Sequence, residues 1–390
     1  MSARKGKSVL IIEKNKILGK KLLITGKGRC NVTNNCDIET VLKNIPRNSK
    51  FLYSAMYSFS PGDTIQFFEE LGVPLKTERG NRVFPISDDA KDIVKALADE
   101  VNRLDITVLR EKVTDILIVE NQTAGVKCAD KEFLSDNVIV STGGKSYPRT
   151  GSTGDGYRFA ESVGHTLSNI KPSLVPLETK QDFPKALMGL SLRNVTLSLY
   201  EEGRKKPLYS ELGEMIFTHF GVSGPLVLSA SAHIKDIDEK DYYFLIDLKP
   251  GLDEQALDKR ILRDFSDNPN RNFSNVLKKL LPLKMIPVII ELSGIDEEEK
   301  VNNISKDKRK NLVKLLKNLR IDIKSFRPIE EAIITRGGIN VKEINPGSME
   351  SKIIKGLYFI GEVLDVDAYT GGFNLQIAFS TANLAAQSID

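Results

Sequence analysis

The chain has 390 residues, 28% of them charged and 41% hydrophobic, with a formal net charge of +4. This is the composition of an ordinary soluble globular protein with room for two or three domains, and the charge is too small to argue for a nucleic-acid partner by itself. No apolar stretch approaches the ~18 residues of a membrane-spanning helix, and the basic start, Met1 to Lys7, runs into a strand with no cleavage-site pattern, so it does not read as a signal peptide. The three cysteines, Cys30, Cys36 and Cys128, cannot all pair within the chain and form no CxxC. They read as reduced thiols of a cytoplasmic protein, and no metal site is expected.

The first element is an apolar run, Ser8 to Ile12, ending in Glu13 and Lys14. Dinucleotide-binding folds place an acid at such a strand end to accept hydrogen bonds from ribose hydroxyls, although an acid alone more often just ends a strand. The glycine-rich phosphate turn of those folds lies about 20 residues before that acid. Only twelve residues precede Glu13, so the first strand, its glycine turn and most of the first helix are expected to be missing from this sequence. Next comes Leu18 to Asn34, which packs Gly, Lys, Arg and Asn together. Glycine lets backbone approach a ligand, and basic groups meet phosphate. A P-loop is excluded there, because Lys21 stands where its first glycine belongs and Gly28 follows Gly26-Lys27. Gly144-Lys145-Ser146 fails as well, with Ile139 in the glycine position.

Helices are predicted over Asp63–Leu71 and Asp89–Leu104, both as core-packing elements. A hairpin follows, Val113–Val119 with Ala124–Cys128, and then a strand from Asn137 to Val140 that runs into Thr142-Gly143-Gly144. Gly151 to Gly156 reads as a ligand loop or an N-capped turn before a helix from Tyr157 to Val163. His165 reads as structural. From about Pro172 the pattern becomes β-rich, with strands at Asn194–Tyr200 and Tyr242–Leu248. His219 lies there in a glycine-rich loop, where a catalytic role is the minority reading and a structural one the commoner. Helices over Asp253–Phe265, Phe273–Leu281 and Lys308–Leu319 form a small helical region. The last is basic, which usually means a solvated face and only in the minority case a nucleic-acid patch. Strands return near Glu331–Thr335 and Ile339–Val341. The chain closes with a buried strand, Leu357–Ile360, then Gly361-Glu362, a glycine-rich turn, and a helix from about Asn374 to Ile389. Three strands therefore end in Glu13, in Gly143-Gly144 and in Gly361-Glu362. Parallel strands of one sheet share an edge, and ligands of such sheets sit outside their carboxyl ends.

These motifs resemble a known family. Glu13-Lys14, Thr25 to Asn31, Thr142 to Pro148, Phe217 to Pro225, Gly361 to Asp365 and Gly371 to Gln376 together resemble the bacterial flavoproteins called HI0933-like or BaiN-like, a group also labelled NAD(P)/FAD-dependent oxidoreductase and aminoacetone oxidase family. The resemblance covers essentially the whole chain. It implies an α/β fold: a glutathione-reductase-type, Rossmann-like FAD-binding domain over 1–172 and 345–390, lacking its first βα unit. The domain would be interrupted by an insert over 173–344, β-barrel-like at 173–251 and 322–344 and helical at 252–321. It implies that Glu13 holds the adenosine ribose. Lys14 and Gly28-Arg29-Cys30-Asn31 would line the nucleotide and flavin, and Val113 would meet adenine through its backbone. Thr142, Gly143 and Gly144 would pass close to the cofactor, Gly361 and Glu362 would sit by the ribityl-phosphate, and Asn374 and Leu375 would offer N–H groups to the isoalloxazine carbonyl edge. The implied activity is FAD-dependent oxidation or reduction of a small organic molecule, by C=C reduction or amine oxidation, with NAD(P)H as a diffusible co-substrate. The catalytic residues are not indicated. A non-catalytic nucleotide- or RNA-binding protein on the same scaffold is the alternative.

Overall fold

The computed structural model describes residues 1–389 and divides the chain into two compact units, Met1–Ser173 with Pro328–Asp390, and Leu174–Arg327. The second stretch of the first unit thus begins at Pro328, and residues 328–344 lie with the first unit. There Ile334–Arg336 pairs antiparallel with Lys171–Ser173.

The first unit is Rossmann-like. Leu10–Ile12 pairs in parallel with Thr107–Leu109, and Val138–Val140 pairs in parallel with Leu357–Phe359. Side chains of Leu357, Tyr358 and Phe359 are all buried, as a central parallel strand requires. Leu10, Ile11 and Ile12 are not, although the run is equally apolar. Among the described residues neither pair has a third strand. A meander, Asp115–Val119, Gln122–Cys128 and Lys131–Leu134, supplies the predicted hairpin, with Glu120 and Asn121 both at positive φ in its two-residue turn. The predicted helices form at Pro61–Glu70, Ala90–Arg103, Asp155–Ser162 and Phe373–Ser388. Ser60 and Asp63 close a capping box on the first of these. The last is buried along much of its length, and its Ile377 and Ala385 share a core with Phe359 and Val363.

The second unit holds a closed six-stranded barrel: Leu177–Thr179, Gly221–Ser223, Tyr209–Phe217, Ser191–Glu201, Tyr242–Asp247 and Leu319–Phe326. Alternation along the strands fills it: Val195, Leu197 and Leu199 are all buried, two residues apart on one face of their strand. A bulge between Arg193 and Val195 sets that register. Helices Glu254–Ser266, Phe273–Leu277, Ile286–Ser293 and Lys306–Lys317 complete the unit. No helix among the described residues is long and apolar enough to cross a membrane.

Candidate cofactor site at the strand ends

Glu13 continues the first strand, its N–H donating to Leu109 O at 2.9 Å. Its carboxylate accepts from Asn15 N at 2.8 Å and Asn15 Nδ2 at 2.9 Å, and Asn15 Nδ2 also reaches Thr150 O at 3.1 Å. Lys14 Nζ donates to Thr153 Oγ1 at 2.6 Å and pairs with Asp155. Burial pushes the Asp155 carboxyl up, but the hydrogen bonds from Lys14 and Thr153 outweigh it and hold the group below the usual carboxylate range. The glycine loop before this helix is therefore tied to the end of the Glu13 strand.

The loop that follows is a broken 3-10 turn, Leu22–Gly28, with Gly26, Lys27, Gly28 and Cys30 at positive φ. A Cβ on Gly26 would lie 2.7 Å from Asn31 N, so the chain closes on itself only with glycine there. Cys30 is fully buried, and desolvation pushes its thiol up to about 11, so it is a neutral thiol at physiological pH. All three cysteines are free. Arg29 turns to the Leu75–Glu78 and Arg82–Pro85 hairpin. Its Nε donates to Asp88 at 2.7 Å, Glu78 takes the other side, and the guanidinium lies 4.0 Å from the Phe84 ring centre. Asn31 Oδ1 is buried with no partner.

Glu362 joins the remaining loops. It accepts from Lys21 Nζ at 2.7 Å, Ser146 Oγ at 3.1 Å and Thr335 N at 3.0 Å. A Cβ on Gly144 would sit 2.8 Å from Glu362 Oε1 and 2.4 Å from Thr335 Oγ1, which explains a glycine at the end of the Val138–Val140 strand. Gly143 beside it has φ +70°, and Thr142 Oγ1 is buried without a partner. Gly361 N donates to Thr381 Oγ1 at 3.0 Å, anchoring the turn to the last helix.

That helix is capped by Gly372 at φ 101°, whose Cα lies so close to Thr33 that a Cβ would be 2.3 Å from its carbonyl oxygen. Asn34 Nδ2 donates to Gly371 O at 3.0 Å. The Asn374 side chain is already occupied, since it accepts from Ala368 N and donates to Ala368 O, both at 2.8 Å. Asn374 and Leu375 thus have their backbone amides to offer, which in a first helical turn lack intrahelical partners and carry the positive dipole end. The Leu375 side chain packs against the Cys30, Val32 and Phe68 cluster, and Val113 against the main core.

The structure therefore brings Glu13 and Lys14 to the Thr150–Asp155 loop, Gly144 to Glu362, and Thr33-Asn34 to the turn before Asn374, while Arg29 is held by its own hairpin. Sequence reasoning missed Asn15, Ser146 and Thr335 as members of this network. Lys21 stands in a segment that its composition singles out, but nothing local marks Thr335. The residue set fits a flavin dinucleotide: a strand-end carboxylate for ribose hydroxyls, two ammonium groups for phosphate, glycine backbone for close approach, orphaned acceptors at Asn31 and Thr142, and helix amides for an electron-rich carbonyl edge.

His165 lies apart from these loops. Its Nδ1 is 3.1 Å from Glu343 Oε2 and its Nε2 2.8 Å from Ser351 Oγ. Acid, imidazole and hydroxyl stand in the order of a hydrolase triad, but Ser351 Oγ also accepts from Ile353 N and Ile354 N at 3.0 and 2.8 Å. With its lone pairs taken and its residue buried, the hydroxyl donates to His165 and is no nucleophile. Among the described residues no group of His, Cys, Asp and Glu is placed to hold a metal ion.

Comparison with known proteins agrees with this architecture. The chain is 31% identical to a 3-dehydro-bile acid delta(4,6)-reductase of Clostridium scindens, over 97% of this chain and 92% of that protein. It is 32% identical to a ribosomal RNA dihydrouridine synthase of Haemophilus influenzae, over 99% of this chain and 94% of that protein. Among solved structures, a quinol–fumarate reductase with menaquinol molecules shares the fold at a TM-score of 0.51 and 14% identity, covering 99% of this chain and 67% of that one. The profile of the HI0933-like protein Rossmann domain matches residues 1–388, and the chain belongs to that family.

Proposed function

We propose that the protein is an FAD-dependent oxidoreductase that reduces a carbon–carbon double bond conjugated to a carbonyl group, with NAD(P)H as a diffusible electron donor. The observation that carries the cofactor site of this reading is the meeting at Glu362 of loops from three strand ends, through Lys21, Ser146 and Glu362 itself. Bound FAD supplies the two-electron redox chemistry, and the chain supplies orientation and electrostatics. Glu13 accepts from ribose hydroxyls. Lys14 neutralises phosphate charge. The amides of Asn374 and Leu375 favour negative charge at the pyrimidine edge. The names of the relatives support reduction over amine oxidation: a delta(4,6)-reductase of a 3-oxo steroid and a synthase of dihydrouridine each saturate a double bond next to a carbonyl.

Those two names differ in substrate size, and one observation favours RNA over a steroid. On the basic helix Lys306–Lys317, Lys308 pairs with Glu299, Arg309 with Asp258 and Lys317 with Asp247. Lys306, Lys310 and Lys314 are exposed, and they recur every fourth residue, ~6 Å apart along the helix. Such a stripe suits successive backbone phosphates, although Asp307 shares the exposed side. The deciding experiment is anaerobic: reduce the flavin with NADH or NADPH, then follow its reoxidation by ribosomal RNA, by a 3-oxo-4,6-diene steroid and by small amines' imine products. Reoxidation by neither double-bond acceptor would overturn the reductase reading. An RNA affinity whose salt dependence survives Lys306→Gln/Lys310→Gln/Lys314→Gln unchanged would remove the RNA preference.

A further inference from the structure

We infer that Lys21 is an anion-receiving residue of this site, parked on Glu362, and that the anion it takes is the diphosphate of a dinucleotide. The inference rests on the flavin reading above. Of the two partners, Glu362 is the fixed one. Its carboxylate is pinned by Thr335 N and Ser146 Oγ, at 3.0 and 3.1 Å, and lies against the bare Cα of Gly144. Ser146 is fully buried, so its hydroxyl cannot follow a moving partner. Lys21 is the movable one. Its side chain retains 26% of its exposure, it stands at the end of a flexible four-carbon stem, and it comes from a loop with no regular helix.

The Lys21 ammonium has three donors: Glu362 Oε2 and Ser146 Oγ, at 2.7 and 2.9 Å, take two of them, and the third reaches only Ser146 O at 3.5 Å, a contact long enough to be exchanged for a better acceptor. A phosphate oxygen can therefore be gained without first breaking the pair with Glu362. The same arrangement recurs at the next loop, where Lys14 is held by Asp155 and Thr153. Two ammonium groups after the Glu13 strand are thus each partly neutralised by a carboxylate from a different loop. This keeps the cations ordered before an anion arrives and lowers the cost of fixing them when it does.

The test uses the full chain and compares three probes: FAD, ADP, which carries the diphosphate without a flavin, and riboflavin, which carries the flavin without phosphate. Binding is read by calorimetry and flavin fluorescence for the wild type, Lys21→Met and Lys21→Arg. Loss of one charge-assisted contact predicts that Lys21→Met weakens FAD and ADP by about tenfold or more. Riboflavin affinity should stay the same, and Lys21→Arg should recover most of the loss. Lys21→Met should also flatten the salt dependence of ADP binding. Equal weakening of all three probes would make Lys21 a purely structural brace, and no weakening of ADP would remove it from the phosphate site. Either result overturns the inference while leaving the flavin reading in place. A wild type that binds neither FAD nor riboflavin would instead overturn the flavin reading and this inference with it.

Discussion

Asp367 is 1% exposed, pairs with Arg47 and accepts from Ser173 Oγ at 2.9 Å. Burial pushes its carboxyl up, against the pull of Arg47, and the net direction is upward from the ordinary 3.8. A raised carboxyl binds its proton more tightly in the folded state. Its contribution is therefore complete below the ordinary value and is lost as pH rises through the folded value. Removing Arg47 should aggravate this. Arg47→Ala is expected to cost about 3–5 kcal/mol at neutral pH, because it strands a buried charge. The neutral pair Arg47→Met/Asp367→Asn should cost clearly less in urea unfolding, and equal losses would mean that the packing of Arg47 matters more than its charge. His165 has the opposite sign. Burial lowers it from 6.5 despite Glu343, so the folded state favours the neutral ring. Stability is then complete above 6.5 and is lost as pH falls through the lowered folded value. The difference in unfolding free energy between the wild type and His165→Gln should shrink from pH 7.5 to pH 5. A constant difference would show that the ring does not titrate there.

The two parallel strand pairs put the next prediction at the level of elements. Leu10 is 41% exposed and Ile139 36%, although both belong to apolar strand runs. Each pair has an edge free of partners among the described residues, and such edges recruit other chains. Ile139→Lys should slow aggregation on mild heating, seen by light scattering, while changing stability by less than about 0.5 kcal/mol, as for an exposed site. An unchanged aggregation rate would place the adhesive surface elsewhere. The same elements explain what is legible in the sequence. Helices with a cap and a periodic face, such as Pro61–Glu70 and Ala90–Arg103, are readable to within a residue or two because caps and periodicity are local signals. The start of Leu319–Phe326 escapes the sequence reading, which places β-rich chain only from residue 322, although Leu319, Ile321 and Ile323 alternate inward, because the pattern of the preceding lysine-rich helix carries through into its first residue. At the site, strand ends and glycines are legible, since close approach leaves only glycine at Gly144 and Gly372. The Arg29 clamp and the role of Thr335 are not, because their partners lie 49 and 27 residues away or more and no spacing rule links them.

At the level of the molecule, the second unit is one uninterrupted segment, Leu174–Arg327, whose two ends meet. Leu177 pairs with Phe326, and Arg327 N donates to Pro176 O at 3.0 Å. A segment with adjacent termini and its own core meets the physical conditions for folding alone. That core is substantial: Leu177, Leu197, Phe217, Phe244, Ile246 and Ile321 are buried within the barrel, and Leu257, Ile261, Leu312 and Leu316 from the helices join the same cluster. We expect residues 174–327, produced without the rest, to unfold cooperatively and to keep a near-ultraviolet circular dichroism signal from their buried aromatic rings. The closing element is the short strand Leu177–Thr179, which pairs with both Gly221–Ser223 and Leu319–Phe326. Gly221 admits it at close range, since a Cβ there would stand 2.5 Å from Leu177 O. Starting the segment at Lys180 should therefore open the barrel between those two neighbours and uncover its core. That shorter segment is expected to retain far-ultraviolet signal, lose the near-ultraviolet signal and bind a hydrophobic dye, the signs of a compact state without fixed packing. If both segments unfold with the same cooperativity, Leu177–Thr179 does not close the core. If neither folds, the second unit draws its stability from the rest of the chain.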